Sequence, residues 1–130
     1  MERVVLDTDV ASLSLKRRLP SPLMTRLIGK QPCITFVTLG ELTQWAELRQ
    51  WGRRNREALN AWLDGVIVVP YTDDVAITWG QVSAAAIRRG RPRPANDSWI
   101  AACALAYGLP LATMNVKDFQ DFVKRAGARG

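Results

Sequence analysis

The sequence has 130 residues, 48% of them apolar and 23% charged, an ordinary globular composition that argues against disorder. The length suits one domain spanning residues 1–130, and no apolar run approaches the ~20 residues of a membrane span. Eighteen basic residues against twelve acidic ones give a net charge of +6, which suits contact with polyanions or simply solubility.

Two absences remove whole mechanisms. There is no histidine, so Ser–His–Asp, Cys–His and paired-His chemistry and His-ligated metal sites are excluded. The two cysteines, Cys33 and Cys103, are too few for a zinc cluster or a disulfide framework and read as small buried hydrophobes. No phosphate-binding loop and no GxGxxG turn is present. The apolar stretch within Met1–Asp7 is too short for a signal peptide, and the expected location is the cytoplasm.

Arg3–Leu6 predicts a first strand ending at Asp7. Pro20 and Pro22 break the chain before a short helix around Leu23–Ile28. A second strand is expected at Cys33–Val37, followed by a helix with Leu42, Trp45 and Leu48 on its apolar face. A further helix, Arg54–Leu63, places Leu59, Trp62 and Leu63 together, and Gly65 ends it. Val66–Val69 is a continuous apolar run of the kind found in buried parallel strands. A helix from Asp73 or Asp74 to about Arg89 turns Ile77, Val82, Ala85 and Ala86 inward. After the loop Gly90–Pro94, Asn96 is the expected N-cap of a helix Asp97–Tyr107 closed by Gly108. Leu111–Thr113 predicts a short fourth strand and Lys117–Lys124 a last short helix. Strands alternating with helices predict an α/β domain with a mainly parallel sheet.

In such sheets, sites form beyond the carboxyl ends of the strands. Asp7 ends the first strand, Glu41 follows the second, Asp97 opens a helix, and Asn115 follows the fourth strand with Asp118 three residues later. Each has a structural reading of its own. Thr38-x-x-Glu41 fits a capping box, Asp97 and Asp118 fit first helical turns, and Asp7 fits an Asx turn. Those readings taken singly predict no shared location, whereas the topology gives one. Clustered carboxylates without His or Cys select a hard cation, Mg²⁺ or Mn²⁺. Such a cation on a basic protein most naturally acts on phosphodiesters.

Four blocks carry a resemblance. They are Leu6-Asp7-Thr8-Asp9-Val10, Thr38-Leu39-Gly40-Glu41-Leu42, Asn96-Asp97-Ser98-Trp99-Ile100-Ala101-Ala102-Cys103-Ala104, and Ala112-Thr113-Met114-Asn115-Val116-Lys117-Asp118-Phe119. In this order and spacing, over about residues 3–122, they resemble the signature blocks of PIN domains, in particular the VapC toxin branch of type II toxin–antitoxin systems. The resemblance implies a three-layer α/β/α domain with four to five strands and a metal-dependent endoribonuclease that cuts tRNA or rRNA loops. It implies that Asp7, Glu41 and Asp97 hold Mg²⁺ or Mn²⁺. Asn115 stands where a fourth acid is usual, so Asp118 completes the catalytic set, and Asp9 adds a carboxylate where Asn is usual. It further implies a VapB-type antitoxin partner, a homodimer and a higher assembly with the antitoxin, with no membrane contact. Family chains usually continue into a further strand, for which Ala126–Gly130 offers little strand character.

The chemistry implied is hydrolysis by a metal-activated water, leaving 5′-phosphate and 3′-hydroxyl ends. Thr8 and Thr113 are placed to orient carboxylates or water, and Thr113 reads equally as a strand residue. Arg88, Arg89, Arg91 and Arg93 read either as phosphate contacts or as a solvated helix end, and Arg49–Arg56 as a solvated face. Trp45, Trp62 and Trp79 read as core or dimer packing, leaving Trp51 and Trp99 less committed. Leu23, Leu27, Trp45 and Leu48 would suit a helix-in-groove partner. Two other classes compete. A non-catalytic RNA-binding module draws on Asn115. A phosphate-receiver domain fits poorly, because Val69 runs into Pro70-Tyr71-Thr72 where an acceptor Asp is needed.

Overall fold

The computed structural model describes residues 1–123. Four strands, β1 (Arg3–Leu6), β2 (Gln31–Thr35), β3 (Ile67–Val69) and β4 (Leu111–Ala112), form one all-parallel sheet in the order β3-β2-β1-β4. Seven helices connect or follow them: α1 (Thr8–Leu15), α2 (Ser21–Leu27), α3 (Phe36–Leu48), α4 (Arg53–Asp64), α5 (Asp73–Arg88), α6 (Ala95–Tyr107) and α7 (Val116–Phe122).

Strand alternation builds the three layers. Val4 and Leu6 of β1 and Ile34 of β2 face a core shared with Val10 and Ala11 of α1, Leu23 and Leu27 of α2, and Trp62 and Leu63 of α4. Val5 and Cys33 point the other way, against Val75 of α5 and Cys103 and Ala104 of α6. Both cysteines are buried and unpaired, and burial pushes the Cys103 thiol up to about 11. Phe122 anchors α7 against Val82, Ala86 and Ala101. No helix among the described residues is long and apolar enough to cross a membrane.

Several expectations are corrected. α1 is not among the elements expected from the sequence. Its N-cap is Asp7, whose Oδ1 accepts the Val10 N–H at 2.9 Å. β2 stops at Thr35 rather than Val37 because Thr35 caps α3, accepting the Thr38 N–H. Phe36 and Val37, strand-like by propensity, form the first turn of α3, and Thr38 lies inside that helix rather than capping it. Pro94, not Asn96, is the N-cap of α6. Gly108 closes α6 in the left-handed region as expected, at φ 67°. β3 is an edge strand, so Val68 faces outward and only Val69 is buried. Ile77 and Leu48 are 58% and 73% exposed. Each lies two residues beyond a buried position, Val75 and Ala46, which turns it to the far side of its helix. Thr72 caps α5. Lys124 and Ala126–Gly130 lie outside the described residues.

The tryptophans serve packing. Trp62 Nε1 donates to Ser14 Oγ at 3.1 Å, and Trp51 is half-buried beside α3 and α4. Trp79 of α5 and Trp99 of α6 stack with centroids 4.5 Å apart, which settles Trp99 as packing. Trp79 Nε1 donates to the buried Ser98 Oγ at 2.9 Å, and Ser98 Oγ donates on to the Ala95 carbonyl. Ser98→Ala leaves the indole N–H without its acceptor. It is expected to lower unfolding free energy by about 1–3 kcal/mol, read from urea denaturation. An unchanged midpoint would mean that solvent satisfies Trp79.

Candidate active site

The parallel strands deliver their carboxyl ends to one edge, and the acids gather there. Register sets the first pair. Leu6 lies beside Ala112, so Asp7 and Thr113 follow side by side, and a Thr113 hydroxyl hydrogen bond reaches the Asp7 carboxylate. The first turn of α1 adds Thr8 and Asp9, α3 adds Glu41, α6 adds Asp97, and α7 adds Asp118. These line one cavity of about 110 Å³ together with Arg93 and Asn115. Its apolar wall is built from Ile100, Ala101, Leu111, Phe119 and Phe122.

A buried hydroxyl chain orients Glu41. Thr8 Oγ1 donates to Glu41 Oε1 at 2.7 Å and lies 2.9 Å from Thr38 Oγ1. A threonine hydroxyl has one proton, so with that proton on Glu41, Thr38 donates to Thr8. Thr38 therefore supports the site from inside α3, a role that the capping-box reading hid. The second hydroxyl at the rim, Thr113 Oγ1, also accepts the Asn115 N–H at 3.0 Å, tying the turn after β4.

Crowding shows in the acids themselves. Burial pushes the Asp7 carboxyl above its ordinary value. Hydrogen bonds from Thr113 and the Val10 N–H pull it back, and the charges of Asp9 and Asp97 push it up again. Asp97 is raised by loss of solvation, lowered by the Arg93 guanidinium and raised by Glu41 and Asp9. Its side chain is 60% exposed, so its shift carries less energetic weight than that of half-buried Asp7.

The donor set fits a hard divalent cation. Five carboxylates face one cavity with no thiol or imidazole, and their mutual repulsion is what such an ion relieves. In the arrangement described, no three of them converge closely enough to coordinate an ion among the described residues. Arg93 instead lies 3.6 Å from Asp97 and 3.5 Å from Asp118.

The four arginines expected to act together are divided. Arg93 lines the cavity. Arg89 Nη2 donates to the Asp121 carbonyl and Arg91 pairs with the Asp121 carboxylate, so both fasten the loop before α6 to α7. Arg88 ends α5, exposed. The sequence missed Trp45, which lines the cavity one turn beyond Glu41 on α3, with Arg49 lying 5.3 Å from its ring centroid. Of the expected partner surface, Leu23 and Leu27 pack inward against the core, and Leu48 is exposed.

The fold and the acid cluster at the carboxyl ends of its strands define a PIN domain, and residues 4–124 match the PIN domain family, to which the chain belongs. Its relatives are VapC proteins. It is 32% identical over 122 residues to a tRNA(fMet)-specific endonuclease VapC from Shigella flexneri, and 29% identical over 123 residues to ribonuclease VapC2 from Haemophilus influenzae. Each alignment covers 92% of both chains. The fold matches that of DNA-bound VapBC from Salmonella typhimurium with a TM-score of 0.80 and 29% identity, again over 92% of each chain. This is a VapC-type PIN domain.

Proposed function

We propose that this chain is the ribonuclease toxin of a VapBC-type toxin–antitoxin pair and that it hydrolyses RNA phosphodiesters at the acidic cavity with Mg²⁺ or Mn²⁺ bound there. The observation that carries the reading is that Asp7, Asp9, Glu41, Asp97 and Asp118 all line one cavity. Asp7 and Asp97 are the principal ligands, with Glu41 and Asp118 completing the set and Asn115 contributing a neutral oxygen. When bound, the cation supplies Lewis-acid activation of water and stabilises charge on the phosphate. Thr8 holds one Glu41 oxygen and leaves the other free, and Thr113 holds Asp7. Arg93 contacts phosphate, and Arg88, Arg89 and Arg91 contribute positive field beside it.

The proposed substrate is a tRNA or rRNA loop in the cytoplasm. The Shigella relative carries tRNA(fMet) in its name. The proposed partners are a VapB-type antitoxin, as in the Salmonella complex, and a second copy of the chain.

Total RNA incubated with the purified protein is expected to yield discrete cuts with 5′-phosphate and 3′-hydroxyl ends. EDTA should abolish them, and Mn²⁺ or Mg²⁺ in excess should restore them. Cyclic-phosphate ends would overturn the mechanism and keep the nuclease. Salt-sensitive RNA binding without any cleavage would replace this reading with a non-catalytic RNA-binding module, the role that Asn115 in place of a fourth acid favours.

A further inference from the structure

Arg93 is the only basic side chain lining the acidic cavity among the described residues. It lies between Pro92 and Pro94, immediately before α6. Each proline fixes its own φ, and Pro94 restricts Arg93 to extended backbone, so the loop delivers this side chain with few alternatives. Its Nη2 lies 3.6 Å from Asp97 Oδ2 and its Nη1 lies 3.5 Å from Asp118 Oδ2. The Arg93 side chain is 30% exposed, whereas the Asp97 and Asp118 side chains are 60% and 55% exposed. A pair with Asp97 alone would be an ordinary exposed contact between the loop and the first turn of α6, of little consequence. The bridge to Asp118 is different, because it joins the first turns of two separate helices across the cavity mouth.

We propose that Arg93 is a tethered counter-cation of this cavity that competes with divalent metal for Asp97 and Asp118 and thereby weakens metal binding. The inference rests on the divalent-cation reading given above. A divalent ion takes carboxylate oxygens at ~2.0–2.2 Å, and a guanidinium held beside the same carboxylates then meets cation–cation repulsion. Metal binding therefore works against both Arg93 contacts, and that cost is subtracted from affinity. In return, the metal-free protein keeps one positive charge shared between two of its five clustered carboxylates. The neighbouring arginines do not share the role, since Arg89 and Arg91 are engaged with Asp121 outside the cavity lining.

The test is calorimetric titration of the full chain with Mn²⁺ alone, comparing wild type, Arg93→Gln and Arg93→Lys. Arg93→Gln is expected to bind Mn²⁺ roughly three- to tenfold more tightly, and Arg93→Lys, with charge but no planar fork, to fall between the two. In EDTA, Arg93→Gln should melt below wild type, and saturating Mn²⁺ should close that gap. Equal or weaker Mn²⁺ binding by Arg93→Gln, with wild-type binding intact, would overturn the role of Arg93 and leave the metal site standing. Absence of Mn²⁺ binding in all three proteins would overturn both. Should Arg93→Gln fail to fold, Arg93→Lys decides: tighter binding than wild type supports the competition, and unchanged binding overturns it.

Discussion

Asp97→Asn and Asp7→Asn are each expected to reduce RNA cleavage by about 10²–10⁴-fold, because a metal ligand contributes several kcal/mol of transition-state stabilisation and each ~1.4 kcal/mol is tenfold in rate. The same substitutions should leave the metal-free protein folded, and Asp7→Asn should stabilise it. Asparagine caps a helix as well as aspartate does, so α1 keeps its N-cap. What disappears is a carboxylate that burial and its neighbours Asp9 and Asp97 penalise. The sign follows from the direction of the shift. The folded-state pKa of Asp7 is raised, so its contribution to stability is fully present below the unfolded value near 3.8 and is lost as pH rises through the higher folded value. Urea denaturation in EDTA should show wild-type stability falling across that interval. The Asp7→Asn curve should be flatter and should lie above wild type at neutral pH. Asp97→Asn is the less clean stability test, because it also takes a partner from Arg93. A cleavage rate unchanged in both variants would remove the acidic cavity as the site of chemistry. Lower stability of Asp7→Asn in EDTA would remove the repulsion account.

The parts of the fold that followed from the sequence are those where local chemistry and tertiary context agree. β1 is a short β-branched run, and α6 is closed by Gly108 in the left-handed conformation that glycine takes without strain. The failures are also physical. α1 is short, and the residues that start it, Asp7 and Thr8, carry site signals that masked their role as cap and first turn. Phe36 and Val37 have strand propensity but follow a capping threonine, so the strand passes directly into a helix. Ile77 and Leu48 show that apolar character alone does not fix the phase of a helix. In the site, each acid was visible because parallel topology sends strand ends to one edge. Thr38 was not, because a hydroxyl that supports another hydroxyl has no pattern in sequence. Nor does sequence separate Arg93 from Arg91 two residues earlier. The loop geometry sends one into the cavity and the other to Asp121.

Thr8→Val is expected to lower kcat/KM about 10–100-fold, the effect of losing a group that orients a metal ligand, although Thr8 is the near-isosteric partner of valine and touches no phosphate. It removes the hydroxyl that anchors Glu41 and the acceptor of Thr38 together. Thr38 loses that acceptor, a stability cost of about 1–3 kcal/mol for a buried polar group left without its partner, so activity is compared where each variant is fully folded. There the loss should appear in activity and in Mn²⁺ affinity. Thr8→Ser keeps the hydroxyl and should recover most of both. Thr38→Val leaves the Thr8–Glu41 bond in place and should cost less than Thr8→Val. A double-mutant cycle makes the assignment strict. In a Glu41→Gln background the further effect of Thr8→Val should shrink towards nothing, because the carboxylate it orients is already gone. Full additivity of the two losses would mean that Thr8 acts on the site through some other group, and that the chain Thr38–Thr8–Glu41 is packing rather than alignment.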